Sequence, residues 1–314
     1  MRFYLFLLIL GASSISFSQL DPEFASEGQN SVWFNPASIG TISKFEVNAI
    51  GRTSLLHVNN GPNTFNINSA LKIIHLKKGD KSIATGAVGL NYRYDEIGFM
   101  ENNSIEILSN LQFDLGNTYL SFGISPGINK LYFNGTIWVT PSDDPTTDPL
   151  IPLTNADQIK FTMGTGINWY NRKFSLGISS SHLFAETYDK IGIQKERHYY
   201  INGSYNLELR RKFALRGVAT VRTADSFRSF TGMLYGVFGG LYADKQLAVG
   251  IGTRATREII GGVNARFEKF SLGYFAEYST SKLTNGNFTH ELRIAFQLFD
   301  SNITRFSPVI EPNF

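Results

Sequence analysis

The histidines are the side chains of this sequence best suited to bind a metal ion or to move protons. The five are His57, His75, His182, His198 and His290. No two of them lie three or four residues apart, so spacing along the chain predicts no local metal pair. His290-Glu291 begins like the zinc-protease motif H-E-x-x-H, but Ile294 stands where the second histidine is needed. The sequence therefore predicts neither a metal site nor a cofactor.

Nucleophilic catalysis also lacks a clear signal. The adjacent Ser181 and His182 lie at the predicted end of a strand, where they could contribute to a catalytic site on the rim of a barrel. No spacing completes a triad, and the chain has no cysteine. Glycine-rich pieces fit neither the dinucleotide-binding nor the phosphate-binding loop pattern. We therefore expect no enzyme; a barrel protease or lipase that depends on His182 or His290 is the third function class considered.

The composition indicates strands rather than helices. The chain contains 29 Gly, 26 Phe and 14 Tyr among 314 residues. Glycine destabilises helix interiors, and aromatic side chains favour strands. The formal net charge of +3 and the lack of long basic runs give no reason to expect a nucleic acid partner.

The N-terminus resembles an export signal. Arg2 precedes the apolar run 3–9, and Ser16-Phe17-Ser18 forms a small-x-small cleavage site before Gln19. The run is shorter than the roughly 20 apolar residues of a membrane-spanning helix, and no later window reaches that length. We predict a cleaved signal peptide over 1–18.

From Lys44 onward, apolar and polar residues alternate with period two. Three features favour a membrane barrel over a soluble sandwich. The segments are about 10 to 14 residues long, enough to cross a bilayer. Long charged side chains lie mid-strand on the polar face, where only a solvated lumen would accept them: Glu46, Arg52, Lys72, Arg216, Arg266 and Arg293. Aromatic residues near strand ends are expected to form interface girdles: Phe133, Tyr200, Tyr242 and Phe299.

The fold class predicted is all-β, a transmembrane antiparallel up-and-down β-barrel over 44–299 with an N-terminal periplasmic or luminal arm over 19–43. About fourteen strands are expected, an even number as single-chain bacterial barrels require. Alternate connections are short, while 132–156 and 183–195 are longer, as periplasmic turns and outer loops are. A periplasmic tail follows at 300–314. The predicted strands are 44–54, 62–76, 82–94, 102–114, 117–131, 157–170, 172–182, 196–207, 211–222, 228–242, 244–254, 257–267, 269–279 and 287–299.

Two segments outside the strands are candidate partner-binding sites. In the arm, Trp33, Phe34, Asn35 and Pro36 place aromatic rings outside any strand, where they need a packing partner. That partner is either another protein or the lumen of the barrel itself. The proline-rich loop 132–156 contains Asp143-Asp144, and it is either a partner-binding lid or plug or a solvated surface loop.

Five short motifs follow one another along the chain: Gln19-Leu20-Asp21-Pro22-Glu23-Phe24, Trp33-Phe34-Asn35-Pro36-Ala37-Ser38-Ile39-Gly40, Gly164-Thr165-Gly166-Ile167-Asn168-Trp169-Tyr170 with Phe174-Ser175-Leu176-Gly177-Ile178-Ser179, His198-Tyr199-Tyr200-Ile201-Asn202-Gly203-Ser204-Tyr205 and His290-Glu291-Leu292-Arg293-Ile294-Ala295-Phe296. Together they resemble the PorP/SprF family of Bacteroidota outer-membrane proteins. They follow the family's order along nearly the whole mature chain; Ser38 departs from the pattern, which usually has an aromatic residue there. The resemblance implies no catalytic residue.

The resemblance implies a role in type IX secretion and, in gliding bacteria, in surface display of large adhesins. Expected partners are the lipid bilayer, a secreted adhesin or other substrate with a C-terminal sorting domain, and periplasmic or outer-membrane secretion components. The expected location is the bacterial outer membrane. The alternative is a porin or small-solute channel, because the charged luminal side chains could select ions; they could equally form ion pairs that fill a closed lumen.

Overall fold

The computed structural model describes residues 21–41, 43–54, 61–78, 81–135, 155–184, 186–210, 212–224, 228–239, 245–255, 257–280 and 287–298. Fourteen antiparallel strands in this part of the chain close into a barrel. The fold class and the strand number predicted from the sequence are confirmed. No helix among the described residues is long and apolar enough to cross a membrane.

The barrel strands match the predicted segments within a few residues at each end. Two further short strands, β8 and β9, lie outside the barrel wall. The strands are β1 Phe45–Ser54, β2 Asn63–Lys78, β3 Lys81–Ile97, β4 Met100–Asp114, β5 Tyr119–Phe133, β6 Ala156–Tyr170, β7 Phe174–Ser181, β8 Glu186–Tyr188, β9 Ile193–Lys195, β10 His198–Arg210, β11 Phe213–Thr223, β12 Arg228–Phe238, β13 Lys245–Arg254, β14 Glu258–Phe267, β15 Phe270–Ser279 and β16 Phe288–Leu298.

Each barrel strand pairs with the next along the chain, and β1 closes the ring by pairing with β16 from Phe45↔Leu298 to Ser54↔Thr289. The break in sequence order comes at β7, which pairs with β10 because β8 and β9 form a separate hairpin. This hairpin lies within 183–195, which the sequence analysis identified only as one of the longer connections. Strands of three residues are too short to show a period along the sequence.

The two faces of the wall differ as a membrane barrel requires. Ile107 and Ile251 face outward with 57% and 65% of their surface exposed, whereas Asn66 and Asn129 face the lumen and are fully buried. All six charged residues predicted on the polar face point inward, with five of them buried or nearly so and Arg216 half-buried. The luminal assignment of these charges is confirmed.

Exposed aromatic side chains lie near both ends of the barrel, as interface girdles do. Trp169, Phe238, Phe267 and Phe270 lie at one end; Phe184, Tyr199, Phe230 and Phe288 lie at the other. Two of the residues predicted for these girdles do not belong to them. Phe133 and Tyr200 are 4% and 1% exposed and point into the barrel. Both occupy inward positions of the period-two pattern, so nearness to a strand end was a misleading signal.

The two ends of the barrel are named here by their connections. The short-turn end includes the turns at 115–118 and 171–173. Strand β1 begins at this end and β16 ends there. The long-loop end carries the β8–β9 hairpin and the ends of β5 and β6 that flank 134–155. Tyr242, Phe299, the predicted signal peptide 1–18 and the predicted tail 300–314 lie outside the described residues.

Candidate functional site

The described part of the arm, residues 21–41 and 43, lies inside the barrel. It starts at the long-loop end with Asp21, runs through the lumen and reaches the short-turn end, where β1 begins. It contains no strand; three short 3₁₀ turns at Glu27–Gln29, Ser31–Trp33 and Pro36–Ser38 carry it downward. Most of its side chains are buried, so the arm fills a lumen whose wall is polar.

Asp21 fixes the upper end of the arm. Its carboxylate oxygens lie 3.0 and 3.1 Å from His182 Nε2, and Oδ2 lies 3.1 Å from His198 Nδ1. Arg93 Nη2 is 3.5 Å from Oδ1. Arg222 donates to the main-chain carbonyl of the same residue. The Asp21 side chain thus contacts groups on β3, β10 and the segment after β7, and its main-chain carbonyl contacts β11.

The charges around Asp21 stabilise the ionised carboxylate. Burial alone would raise the pKa of Asp21, but Arg93, His182 and His198 hold it well below its usual value. Burial alone would lower the pKa of His182, but Asp21 and Glu186 raise it to about 9. Both ring nitrogens of His182 contact carboxylates, at Asp21 and at Glu186. His182 therefore has no ring nitrogen directed at Ser181, and the arrangement does not form the nucleophile–base pair of a hydrolase.

Acidic residues also hold the next turn of the arm. Glu23 forms ion pairs with Arg222 at 2.6 Å and with Arg254 at 2.8 Å. Glu291 of β16 accepts from the main-chain amides of Ala25 and Ser26 at 2.7 and 2.9 Å. The Glu291 contacts satisfy two backbone donors that an irregular buried segment leaves without a partner.

Glu27 lies in the same acidic region and is 5% exposed. Burial and the neighbouring carboxylates of Glu23 and Glu291 raise its pKa to about 8. A neutral carboxyl in this position costs less to bury than a carboxylate would. Luminal ion pairs continue beside it, since Arg254 contacts Glu277 at 2.8 Å and Arg52 contacts the same carboxylate at 3.1 Å.

The aromatic rings of the arm pack on each other and on the wall. Trp33 makes edge-on contacts with Phe24, Phe34 and Tyr200 at centroid distances of 5.4, 5.1 and 5.8 Å. Phe34 stacks on Tyr200 at 4.9 Å. Ile50 of β1 completes this cluster. The inward position of Tyr200 is therefore explained by the arm rather than by the membrane interface.

The Asn35-Pro36-Ala37 segment docks against a wall of small residues. Asn35 caps the third 3₁₀ turn by accepting from the Ala37 amide at 3.0 Å, and it donates to the Ile167 carbonyl at 3.3 Å. A Cβ atom at Gly123 would overlap the Pro36–Ala37 backbone, and one at Gly166 would overlap the Asn35 side chain. Glycine is needed at both positions because the arm passes so close.

Wall side chains satisfy the carbonyls of this segment as well. Asn110 Nδ2 donates to the Ala37 carbonyl at 3.3 Å and to the Ile39 carbonyl at 2.7 Å. Ser121 Oγ donates to the Ala37 carbonyl at 2.8 Å. Asn35 itself donates to the Ile167 carbonyl. Two motifs noted in the sequence, the one around Asn35-Pro36 and the glycine-containing hairpin at 164–177, are therefore in contact.

The β8–β9 hairpin covers the Asp21 cluster at the long-loop end. Its Tyr188 is fully buried and packs with Leu131, Phe133 and Ile191. Glu186 of the same hairpin accepts from the Tyr188 hydroxyl at 2.6 Å and from Asn129 at 2.9 Å. The upper end of the arm is thus enclosed between the wall and this hairpin.

The predicted site residues fall into two groups. Trp33, Phe34, Asn35 and Pro36 lie together inside the lumen, each of them buried by the chain's own barrel. Asp143 and Asp144 lie outside the described residues. The cluster of Asp21 with His182 and His198 was not foreseen, because Asp21 and His182 are 161 positions apart. The available signal was that Asp21 and His198 each lie in one of the motifs noted in the sequence.

The fold and the filled lumen define an outer-membrane β-barrel that holds its own N-terminal arm. The chain belongs to the family of type IX secretion system membrane proteins PorP/SprF, whose sequence profile matches residues 16–296. No curated protein matches the sequence significantly.

Solved structures show the same fold at low identity. The Ralstonia pickettii toluene transporter TbuX superposes with a TM-score of 0.53 at 9% identity, covering 85% of this chain and 92% of its own. The CymD monoaromatic hydrocarbon channel gives 0.50 at 11% identity, covering 88% and 94%.

Proposed function

We propose that this chain is a non-enzymatic outer-membrane component of type IX secretion that holds or assists the export and surface display of a partner protein, such as a large adhesin. Membership of the PorP/SprF family supports the assignment to type IX secretion. The observation that carries the docking role is the arm, which runs the length of the lumen and is anchored by Asp21, Glu23 and Asn35. A barrel filled in this way offers binding surfaces at its ends rather than an open path.

The partner surfaces differ in how accessible they are. Asp143 and Asp144, in the predicted outer loop 132–156, are candidates for contact with a secreted partner. The tail 300–314 is the candidate surface for periplasmic components. The segment Trp33–Pro36 is buried while the arm is seated, so its proposed role in partner binding requires displacement of the arm.

The first experiment is affinity purification of a tagged copy from gently solubilised native outer membranes, with mass spectrometry of the co-purifying proteins. Recovery of a large secreted protein or of secretion subunits is the expected result. Neutralising Asp143 and Asp144 to Asn should reduce recovery of the secreted partner. The matched control neutralises Asp157 and Asp189, two exposed aspartates of the long-loop end. Recovery of the barrel alone, or only with itself, would contradict the docking role.

The second candidate function is a small-solute channel. It is favoured by the charged luminal wall and by the shared fold with TbuX and CymD, which are described as a toluene transporter and a monoaromatic hydrocarbon channel. Single-channel conductance in planar bilayers separates the two functions. A stable open pore formed by the wild-type chain would favour the channel, and a closed barrel would favour docking.

A further inference from the structure

Asp21, His182 and His198 bring three metal-binding atoms together under the β8–β9 hairpin. Their donor atoms all lie within 4.8 Å of one another. Asp21 Oδ2 is 3.1 Å from His182 Nε2 and 3.1 Å from His198 Nδ1. In a tetrahedral site with metal–ligand bonds of about 2.0–2.2 Å, neighbouring donors are roughly 3.3 Å apart. The two carboxylate–imidazole separations are therefore close to those that a bound ion would impose.

The second ring nitrogen of His182 has the partner that metal-binding histidines usually have. His182 Nδ1 lies 2.6 Å from Glu186 Oε1, and Glu186 is itself held by Tyr188 and Asn129. A carboxylate in this position fixes the proton on Nδ1 and directs the lone pair of Nε2 outward. Here Nε2 faces the Asp21 carboxylate, another acceptor. Two acceptors 3.0 Å apart need a positive charge between them, either a proton or a metal ion.

The buried charges around the three candidate ligands favour a divalent cation. Four buried carboxylates act on this region: Asp21, Asp95, Glu106 and Glu186. Arg93 and Lys195 are the buried cations that face them, while Arg222 is paired with Glu23. With both histidines neutral and all four carboxylates ionised, these groups would carry an excess of two negative charges. An ion of charge two would balance it without protonating either ring.

We propose that Asp21, His182 and His198 bind a divalent transition-metal ion of the zinc type, which cross-links the arm to the ends of β7 and β10. Two imidazole nitrogens and one carboxylate suit zinc, whereas Ca²⁺ and Mg²⁺ prefer oxygen ligands. Ser181 Oγ and Tyr200 Oη lie 3.2 and 3.4 Å from Asp21 Oδ2, where they can hydrogen-bond a water in the fourth position. This site goes beyond the proposed function and does not depend on it.

Metal content of the purified full-length chain tests the proposal. A chelator first removes bound metal from the protein, which is then dialysed against Zn²⁺. Elemental mass spectrometry then measures the zinc content per chain. About one Zn²⁺ per chain is expected for the wild type, and H182Q and H198Q should each lose it. The matched control is H290Q, because His290 lies on the outer face and contacts Tyr274. Co²⁺ absorption in the visible region reports the ligand geometry independently of zinc content.

Two results would overturn the site. One is a wild-type chain that binds no stoichiometric Zn²⁺; the other is equal binding by the wild type, H182Q and H198Q. Heat-dependent mobility of the barrel on gels checks that each variant is folded. E186Q keeps all three ligands and tests the contact between Glu186 and His182 that supports them. The affinity for Zn²⁺ should fall about 10- to 100-fold in this variant. An unchanged affinity would count against the proposal that Glu186 orients His182 as a ligand.

Discussion

Substitution of Gly123 by alanine should displace the arm without disturbing the barrel. The added methyl would overlap the Pro36–Ala37 backbone, which has no rotamer by which to move aside. Overpacking of this kind typically costs about 1–3 kcal/mol, which lowers the equilibrium constant for seating the arm roughly 5- to 150-fold. G261A is the matched control, because a Cβ at Gly261 meets nothing within 4 Å.

Cysteine labelling can measure this shift because the chain has no cysteine of its own. Ser26 of the arm is fully buried, so an S26C reporter reacts with a water-soluble maleimide only when the arm leaves its place. If closing is fast relative to labelling, the rate follows the displaced population. We expect G123A to accelerate labelling by the factor given above and G261A to leave it unchanged. Equal rates for both variants, with folded barrels, would refute the close packing of the arm on β5.

The polar anchors of the arm can be tested with the same S26C reporter. E23Q weakens a buried contact with Arg222 and Arg254 and should destabilise seating by about 2 kcal/mol or more; a wild-type rate would contradict the anchor. N35A removes the cap of the last 3₁₀ turn and should cost about 1–2 kcal/mol, seen as faster labelling. Glu27 has its pKa raised from an ordinary 4.5 to about 8, so between these values the displaced arm releases a proton that the seated arm keeps. Its contribution to seating is therefore lost progressively as pH rises from 4.5 to 8, and the ratio of wild-type to E27Q labelling rates should increase over that range; a constant ratio would show that Glu27 titrates normally.

The barrel could be predicted from the sequence because its environment imposes a simple rule. Lipid outside and a polar lumen inside force alternation with period two, and β15, Phe270–Ser279, was placed within one residue on that basis. The same alternation also explains why the assignment of Tyr200 to the girdle was wrong. Tyr200 lies two residues from His198 and therefore shares its inward face, which nearness to the strand end obscured.

The site inside the barrel could not be predicted because its contacts are distant in sequence. Trp33 and Phe34 were expected to need a packing partner, but their own sequence cannot distinguish Tyr200 of the wall from a second protein. The β8–β9 hairpin has strands too short for a periodic signal. Asp21 and His182 are brought together only when the arm enters the closed barrel.

The seated arm changes what the polar lumen means for function. Charged and amide side chains on the inner wall are expected of a channel, because a solute path must be solvated. An irregular segment buried in a barrel makes the same demand, since its amides and carbonyls need partners from the wall. Glu291 supplies acceptors for two arm amides, and Asn110 and Ser121 supply donors for arm carbonyls. These three wall residues bind the arm, so their own polarity is explained without a solute path and is not by itself an argument for a channel.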